Sequence, residues 1–273
     1  AELVSIKMTE NGIIRKAIEL KYAVNRTVIL HTYYLYRNED FLRVAVKINY
    51  NEKNTVLKYF INSALSDTAA YYEIPFGYVR KNCEGQEQPA LRWACVYGSA
   101  GGGQAGIAVC CDSKSSYSVQ ENTLGFIGVR NSVFANHHAK PDSRTEYDYT
   151  DEGISYFNYV ILPFTGCVPF DKINAAADCI YPPDYLIDSY HGGGLKKTLS
   201  LFNCDSEQIA LTAMKKTEDG KGFVLRLNEL AQKKCEANIS FLNAQAALSF
   251  NPNEIKTVLF IGGEFIVSDF LES

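Results

Sequence analysis

Apolar and polar residues alternate with a period close to two along most of this chain. In the segment FLRVAVKINY, five apolar side chains fall on one face, namely Leu42, Val44, Val46, Ile48 and Tyr50. A strand with one buried face has this spacing, because successive side chains point to opposite sides. The same theme recurs in other runs rich in β-branched and aromatic residues, separated by Gly, Asn, Asp and Pro: TVILHTYYLYR, TLGFIGVR, SYFNYVILPF, GFVLRLNEL, ANISFL and IKTVLFI.

No long stretch carries a convincing helical stripe. The segment LNELAQKKCEA has a helix-forming composition, but it overlaps the strand-like GFVLRL, and AQKK makes an equally good polar turn. We therefore predict a strand, a turn and a second strand here. Many short strands separated by such turns favour an all-β fold built of antiparallel sandwiches.

A boundary between two domains is predicted near residues 166–195. A proline pair and a glycine triplet interrupt the alternation there, and neither suits the interior of a sheet. The pattern predicts a large sandwich over residues 1–180 and a smaller one over residues 181–273, each within the usual size range of a domain.

Charge and hydropathy exclude two classes of partner. The 273 residues include 27 basic and 31 acidic side chains with a formal net charge of -4, and no basic stripe suited to a phosphate backbone is present. We therefore expect no nucleic-acid partner. The longest uncharged run, Gly153 to Phe170, is interrupted by Asn158, Pro163 and Gly166. It fits a strand followed by a turn, so we expect no membrane segment.

The eight cysteines indicate a reducing compartment. None of them forms a C-x-x-C pair, which disfavours structural zinc, and several lie in apolar runs such as GIAVCC. Reduced thiols in a cytoplasmic protein are the expectation. Two glycosylation sequons, at Asn25 and Asn238, are only weak evidence against a cytoplasmic protein, because such short patterns often arise by chance.

The segment NHHAKPDSRTEYDYTDEG is the main candidate for chemistry. His137 and His138 could bind one metal ion together only in a loop, because adjacent residues on a strand point to opposite faces. Asp142, Asp148 or Asp151 could then complete a site of the kind that zinc prefers. A solvated loop with hydrogen-bonded histidines is the alternative that the sequence favours.

Two other features have structural interpretations. The glycine-rich GSAGGGQAG lacks the Lys-Ser/Thr ending of a phosphate loop and predicts a hairpin turn. Trp93 could form a platform for a sugar, but in an all-β protein a core position is the favoured interpretation.

Several blocks of sequence, in order, resemble the C-terminal β region of the glycoside hydrolase family 38 α-mannosidases. The likeness extends from about residue 12 through the last predicted sandwich. The blocks are YYEIPFGYVRKN, EQPALRWACVYG, GIAVCCDSKSSYSVQENTLGFIGVRNSVFANHH, YDYTDEGISYFNYVILPF and HGGGLKKTLSLFNCDSEQIALTAMKKTEDGKGFVLRLNEL.

The resemblance implies a galactose-mutarotase-like β-supersandwich followed by a smaller sandwich. It also implies a retaining exo-hydrolase of terminal α-D-mannosides, in which zinc grips the sugar and an aspartate is the nucleophile. In the family both belong to an N-terminal domain that has no counterpart in this sequence. We therefore expect this chain to be inactive alone, with no catalytic or metal-binding residue of its own and the N-terminal domain of the same polypeptide as its partner.

Relatives also enter the large sandwich through earlier strands that are not found before ENGIIRKAIELKY. A sheet edge or an apolar face would then lie uncovered, so we expect self-association. In related enzymes the β region helps to form the wall of the sugar pocket. The polar residues that we regard as candidates for contact with the carbohydrate are Arg92, Arg130, His137, His138 and Asp151.

Two alternative functions remain open at this point. The chain could be a stand-alone carbohydrate-binding sandwich without a catalytic partner, which would need an exposed aromatic platform. It could also be an independent metallohydrolase centred on His137 and His138, which would need bound metal at near stoichiometry.

Overall fold

The structure, a computed structural model, describes residues 1–135, 142, 144–181, 192, 194 and 199–272. The chain divides into two compact units, residues 1–74 with 78–182, and residues 75–77 with 183–273. The strand pairs in the described part of the chain are antiparallel. The predicted all-β class, with a large and a small sandwich, is confirmed.

The first unit contains thirteen strands and one helix among its described residues. The strands are β1 (Glu2–Asn11), β2 (Arg15–Val24), β3 (Thr27–Tyr36), β4 (Leu42–Tyr50), β5 (Thr55–Asn62), β6 (Ser66–Ile74), β7 (Gly77–Lys81), β8 (Gln88–Pro89), β9 (Trp93–Ala100), β10 (Gly103–Cys111), β11 (Ser116–Gln120), β12 (Thr123–Asn131) and β13 (Gly153–Thr165). The helix is α1 (Phe170–Asp178).

Two sheets of unequal size form the large sandwich. A nine-stranded sheet has the order β1-β2-β3-β4-β13-β10-β9-β6-β7, and a four-stranded sheet has the order β5-β12-β11-β8. The inner faces of both sheets contribute to one apolar core, in which Val46 and Phe157 of the larger sheet lie with Tyr117 and Phe126 of the smaller one. Strand β1 forms one edge of the large sheet and β5 one edge of the small sheet.

Helix α1 adds a third layer, on the outer face of the nine-stranded sheet. Ile173, Ala176 and Ala177 are buried against Trp93 and against Cys95, Cys110 and Val160. The central strands are therefore covered on both faces, which explains why GIAVCC is apolar without alternation. Trp93 is only 1% exposed, so the prediction of a core position is confirmed.

One short helix lies within residues 166–195, where the sequence pattern predicts only a domain boundary. Helix α1 lies inside that interval, immediately after Pro169, whose side chain forms no capping hydrogen bond. Nine residues are too few for a helix to be stable by propensity alone. The helix is stabilised by burial of its alanine-rich face against the sheet, and the local pattern does not reveal this contact.

The second unit is the smaller sandwich. It contains a sheet of order β14-β17-β18 and a sheet of order β15-β16-β19-β20. Its core includes Leu225, Phe241 and Phe250. The strands are β14 (Phe202–Cys204), β15 (Ile209–Lys216), β16 (Gly222–Glu229), β17 (Cys235–Phe241), β18 (Ala244–Phe250), β19 (Ile255–Ile261) and β20 (Glu264–Ser268).

Two local predictions are confirmed by these elements. The segment LNELAQKKCEA forms the end of β16, a turn and the start of β17. The glycine-rich segment is the hairpin between β9 and β10, where Gly101 and Gly102 adopt positive φ angles of 57° and 86°. Both residues are glycines because that backbone conformation carries little strain without a Cβ atom.

Candidate functional site

The segment that contains the two adjacent histidines connects β12 to β13 in the large sandwich. Its two ends are held together by hydrogen bonds. The Arg130 backbone N–H donates to Asp151 Oδ2 at 3.2 Å, and the Thr150 hydroxyl donates to the Arg130 carbonyl oxygen at 3.0 Å. The Asp151 N–H donates to Asn131 Oδ1 at 3.0 Å. The structure therefore brings together two of the predicted site residues, Arg130 and Asp151.

The Arg130 side chain belongs to a cluster of three charges on the outer face of the four-stranded sheet. Arg130 Nη2 lies 3.1 Å from Glu87 Oε2, and Lys58 Nζ lies 2.6 Å from Glu87 Oε1. The pKa of Glu87 is lowered, mainly by the hydrogen bond from Lys58. The Arg130 side chain is 54% exposed, so this cluster is accessible to a ligand or to another domain.

His137 and His138 lie outside the described residues. Asp142 is described, and its Oδ1 accepts a hydrogen bond from the Arg144 N–H within a local turn. Across the part of the chain that the structure describes, no three His, Cys, Asp or Glu side chains form a group that could hold a metal ion.

Arg92 lies apart from this loop, beside helix α1 on the outer face of the nine-stranded sheet. Its Nε and Nη2 contact Glu73 Oε1 at 3.0 and 2.6 Å, and Nη2 also contacts Asn174 Oδ1 at 2.8 Å. Its Nη1 pairs with Asp178. Burial lowers the pKa of Arg92, but the hydrogen bonds and charge of Glu73 outweigh this effect and the net shift is upward. All three guanidinium nitrogens are bonded to protein, which favours a structural role.

The partners of Arg92 could not be identified from the sequence. Glu73 is in β6, and both Asn174 and Asp178 belong to the helix that the pattern did not predict. Asn174 Oδ1 also accepts a hydrogen bond from Trp93 Nε1 at 3.1 Å. This network therefore fixes α1 on the sheet through side chains that are distant in sequence.

A buried histidine among tyrosines is a second polar feature that sequence analysis missed. His31 Nδ1 is 3.2 Å from the Tyr33 hydroxyl, and Nε2 is 3.3 Å from the Tyr59 hydroxyl. The rings of Tyr22 and Tyr159 also pack against it. Burial lowers the pKa of His31 to about 4, so the ring is neutral at pH 7. The signal was present in TVILHTYYLYR, where His31 shares a face with Ile29 and Tyr33.

Family models match most of the large sandwich and part of the small one. The model described as the glycosyl hydrolases family 38 C-terminal domain matches residues 2–138. A second model, the glycosyl hydrolases family 38 C-terminal beta sandwich domain, matches residues 208–258. This chain belongs to glycoside hydrolase family 38. The resemblance predicted from the sequence blocks is confirmed, and the chain corresponds to the C-terminal region of the family 38 α-mannosidases.

Individual relatives agree with this assignment. Alpha-mannosidase G of Dictyostelium discoideum is 23% identical over 245 residues, which cover 82% of this chain and 20% of that protein. Two solved structures from Enterococcus faecalis, one titled as a family 38 glycosyl hydrolase and one as an alpha-mannosidase, share the fold. Each is 14% identical to this chain, with a TM-score of 0.75. The first alignment covers 93% of this chain and 36% of the solved chain, and the second covers 94% of this chain and 35% of the solved chain.

The family 38 chain therefore spans about a fifth of its curated relative and about a third of the two solved structures. The match to the first family model, over residues 2–138, includes Arg92, Arg130, His137 and His138, whereas Asp151 lies beyond its last matched residue. Among the described elements, no helix is both long and apolar enough to cross a membrane.

Proposed function

We propose that this chain is the C-terminal β-sandwich part of a retaining, zinc-dependent α-mannosidase that hydrolyses terminal α-D-mannosyl residues. The observation that carries the proposal is the match of two family 38 C-terminal models, in the family's order, to the two sandwiches. The mannoside substrate and the retaining mechanism come from the resemblance, because the chain spans only part of its relatives.

The proposal assigns the zinc ion and the nucleophile to an N-terminal catalytic domain of the same polypeptide. The described residues do not fit a zinc site, since no three potential ligands come together. This chain's own contribution is a folded scaffold and a wall of the sugar pocket, and the chain alone is inactive.

Within this proposal, Arg130 and Asp151, at the two ends of the segment between β12 and β13, are the first candidates for contact with the sugar. The support is local, because Arg130 and Asp151 fix the base of the loop while the Arg130 side chain stays accessible. Arg92 is the weaker candidate because its guanidinium is occupied by Glu73, Asn174 and Asp178. His137 and His138 remain candidates by their place in the loop.

The proposal is tested by complementation. Hydrolysis of an aryl α-mannoside and bound zinc are measured for the purified chain, for the N-terminal region of a full-length family member, and for the two mixed. We expect no turnover and no stoichiometric zinc with the chain alone, and turnover in the mixture. Turnover by the chain alone would contradict the proposal, as would a mixture no more active than the N-terminal region.

The loop is tested in the same mixture. Asp151→Asn is expected to reduce kcat/KM because it weakens the base of the loop, whereas Lys58→Gln removes a nearby charge without contacting the loop and serves as the control. Equal activities of the two variants would contradict the assignment of this loop to the wall of the sugar pocket.

A cytoplasmic location is part of the proposal. It is supported by the eight cysteines, all of which are free thiols, with Cys95, Cys110 and Cys111 fully buried. Disulfides are rare in the reducing cytosol. Fractionation of the source cells, with detection of the endogenous protein in the soluble cytosolic fraction, tests this assignment.

A further inference from the structure

A polar cleft lies on the outer face of the nine-stranded sheet, beyond the C-terminal end of helix α1. Its volume is about 280 Å³. The polar and aromatic side chains of its lining come from four strands and include Arg15, Tyr34, Tyr36, Arg43 and Asn158. None of them belongs to the loop between β12 and β13.

Strand register places the cleft on this face. Tyr34 pairs with Arg43, and Arg43 pairs with Val160, which is buried against α1. Asn158 lies two residues before Val160 on the same strand and therefore shares its face. The helix ends at Asp178, so the sheet is covered over Val160 and opens into the cleft next to it.

The two arginines are held in place by aromatic rings and by carboxylates. The Arg15 guanidinium lies 4.8 Å from the Tyr34 ring centroid and 5.6 Å from that of Tyr36, and the Arg43 guanidinium lies 4.8 Å from Tyr36. Arg15 Nε donates to Glu10 Oε2 at 2.8 Å, and Arg43 Nε donates to Glu39 Oε2 at 2.8 Å. Such stacked and paired side chains have lost much of their freedom before a ligand arrives.

Several polar atoms at the cleft have no protein partner within the described part of the chain. These atoms are the Tyr34 hydroxyl, Arg15 Nη2 and Asn158 Oδ1, because Asn158 uses its Nδ2 to donate to Asp112 at 2.8 Å. The residues on neighbouring walls of the cleft thus carry donors and an acceptor that no other protein group in the described part of the chain uses. This mixture matches a ligand that both donates and accepts hydrogen bonds around its perimeter.

We propose that this cleft binds a neutral sugar ring of a glycan. An anion is disfavoured because Glu10 and Glu39 already neutralise both guanidiniums and would repel it. A purely apolar ligand is disfavoured because it would leave the polar atoms of the walls unpaired. A volume of 280 Å³, just below the range of about 300–1,000 Å³ for drug-sized ligands, suits a single ring.

The residues of the cleft indicate a sugar, and the choice of mannose rests on the proposed function. Binding is measured by NMR titration of the purified chain with methyl α-mannoside, methyl α-glucoside and inorganic phosphate. The cleft variants are Tyr34→Phe and Arg15→Gln. The matched control is Tyr156→Phe, on the same face of β13 but outside the cleft, with a 65% exposed side chain.

We expect saturable binding of at least one pyranoside. Tyr34→Phe should weaken it about threefold to tenfold through loss of one hydrogen bond, and Arg15→Gln by at least about tenfold. Tyr156→Phe should leave it unchanged. Thermal unfolding of each variant verifies that the fold is retained, and an unfolded Arg15→Gln leaves the milder Tyr34→Phe as the deciding variant.

Three results would overturn the proposal, namely no pyranoside binding at tens of millimolar, equal weakening by Tyr156→Phe and Tyr34→Phe, or binding of phosphate alone. Binding of the glucoside without binding of the mannoside would support the proposal that the cleft binds a sugar ring. It would contradict only the choice of mannose as that sugar. The aryl α-mannoside assay is independent of these titrations. A failed complementation with intact sugar binding would overturn the proposed function alone, and the reverse would overturn the cleft alone.

Discussion

At the scale of single residues, the large sandwich buries the ionisable side chains of His31 and Glu73. His31 lies in a row of apolar side chains on the inner face of the nine-stranded sheet, and Arg92 pairs with the buried Glu73 on the outer face. The sequence shows that His31 and Arg92 are present, but the spacing of residues along the chain does not predict which side chains they contact.

His31 makes the stability of the fold depend on pH. Its pKa is about 4 in the folded protein against 6.5 for an exposed histidine, so below pH 6.5 the unfolded chain binds a proton that the folded chain does not. The contribution is complete above pH 6.5 and is lost as the pH falls through 4, with a maximum of about 3 kcal/mol.

Urea unfolding of the wild type and of His31→Phe at pH 7, 6 and 5 measures this contribution. Because carboxylates also titrate, the informative quantity is the difference between the two proteins at each pH. We expect the free energy of unfolding to fall more steeply for the wild type. Parallel curves would show that His31 does not take part.

The Arg92 network is predicted to stabilise the fold more than the Arg130 pair. Arg92→Ala leaves the Glu73 carboxylate, whose side chain is 8% exposed, without its cation and should cost about 3 kcal/mol. Arg130→Ala removes a pair between side chains that are 54% and 38% exposed and should cost less than about 1 kcal/mol. Urea unfolding at pH 7 measures both values, and similar losses would contradict the assignment of Arg92 to a structural role.

At the scale of elements, helix α1 shows how tertiary contact decides a local structure. Its alanines differ in environment within one turn, since Ala176 is buried against the sheet and Ala175 is exposed. Sequence spacing did not predict the helix because nine residues give too short a pattern, whereas strands of the same length show their alternation clearly.

The two alanines provide a matched test of that packing. Ala176→Asp buries a charge in the helix–sheet interface and should destabilise the protein by more than about 3 kcal/mol. Ala175→Asp introduces the same residue at an exposed position and should cost less than about 1 kcal/mol, including its unfavourable place near the helix C-terminus. Unfolding midpoints compare the two, and equal effects would mean that α1 does not pack on the sheet.

At the scale of the whole large sandwich, strand β1 leaves an apolar edge uncovered. Leu3, Val4, Ile6 and Met8 are 46–63% exposed. Through β2, Ile6 and Met8 continue the inner-face rows that reach His31 and Tyr33. An unpaired edge strand next to an apolar face is a surface that a second copy of the chain can cover by strand pairing.

We therefore predict that the chain self-associates through β1. Sedimentation velocity over a range of concentrations should show a dimer that Ile6→Lys converts to a monomer, because the charge would be buried in the interface. Ile154→Lys is the control, since Ile154 is equally accessible, at 60% against 63% for Ile6, but lies on the interior strand β13. A strict monomer at high concentration, or equal effects of both substitutions, would contradict the prediction.

The sequence by itself determined the class of fold, most strands, the hairpin at Gly101 and Gly102, and the family. These depend on alternation, turn chemistry and ordered blocks, which are local properties of the chain. The tertiary structure decided which distant side chains meet. In the folded chain α1 packs on β10, and Arg92 pairs with Glu73. Arg130 contacts Asp151, and the cleft at Tyr34 lies between four strands. Long-range packing sets these contacts, and no spacing along the chain encodes them.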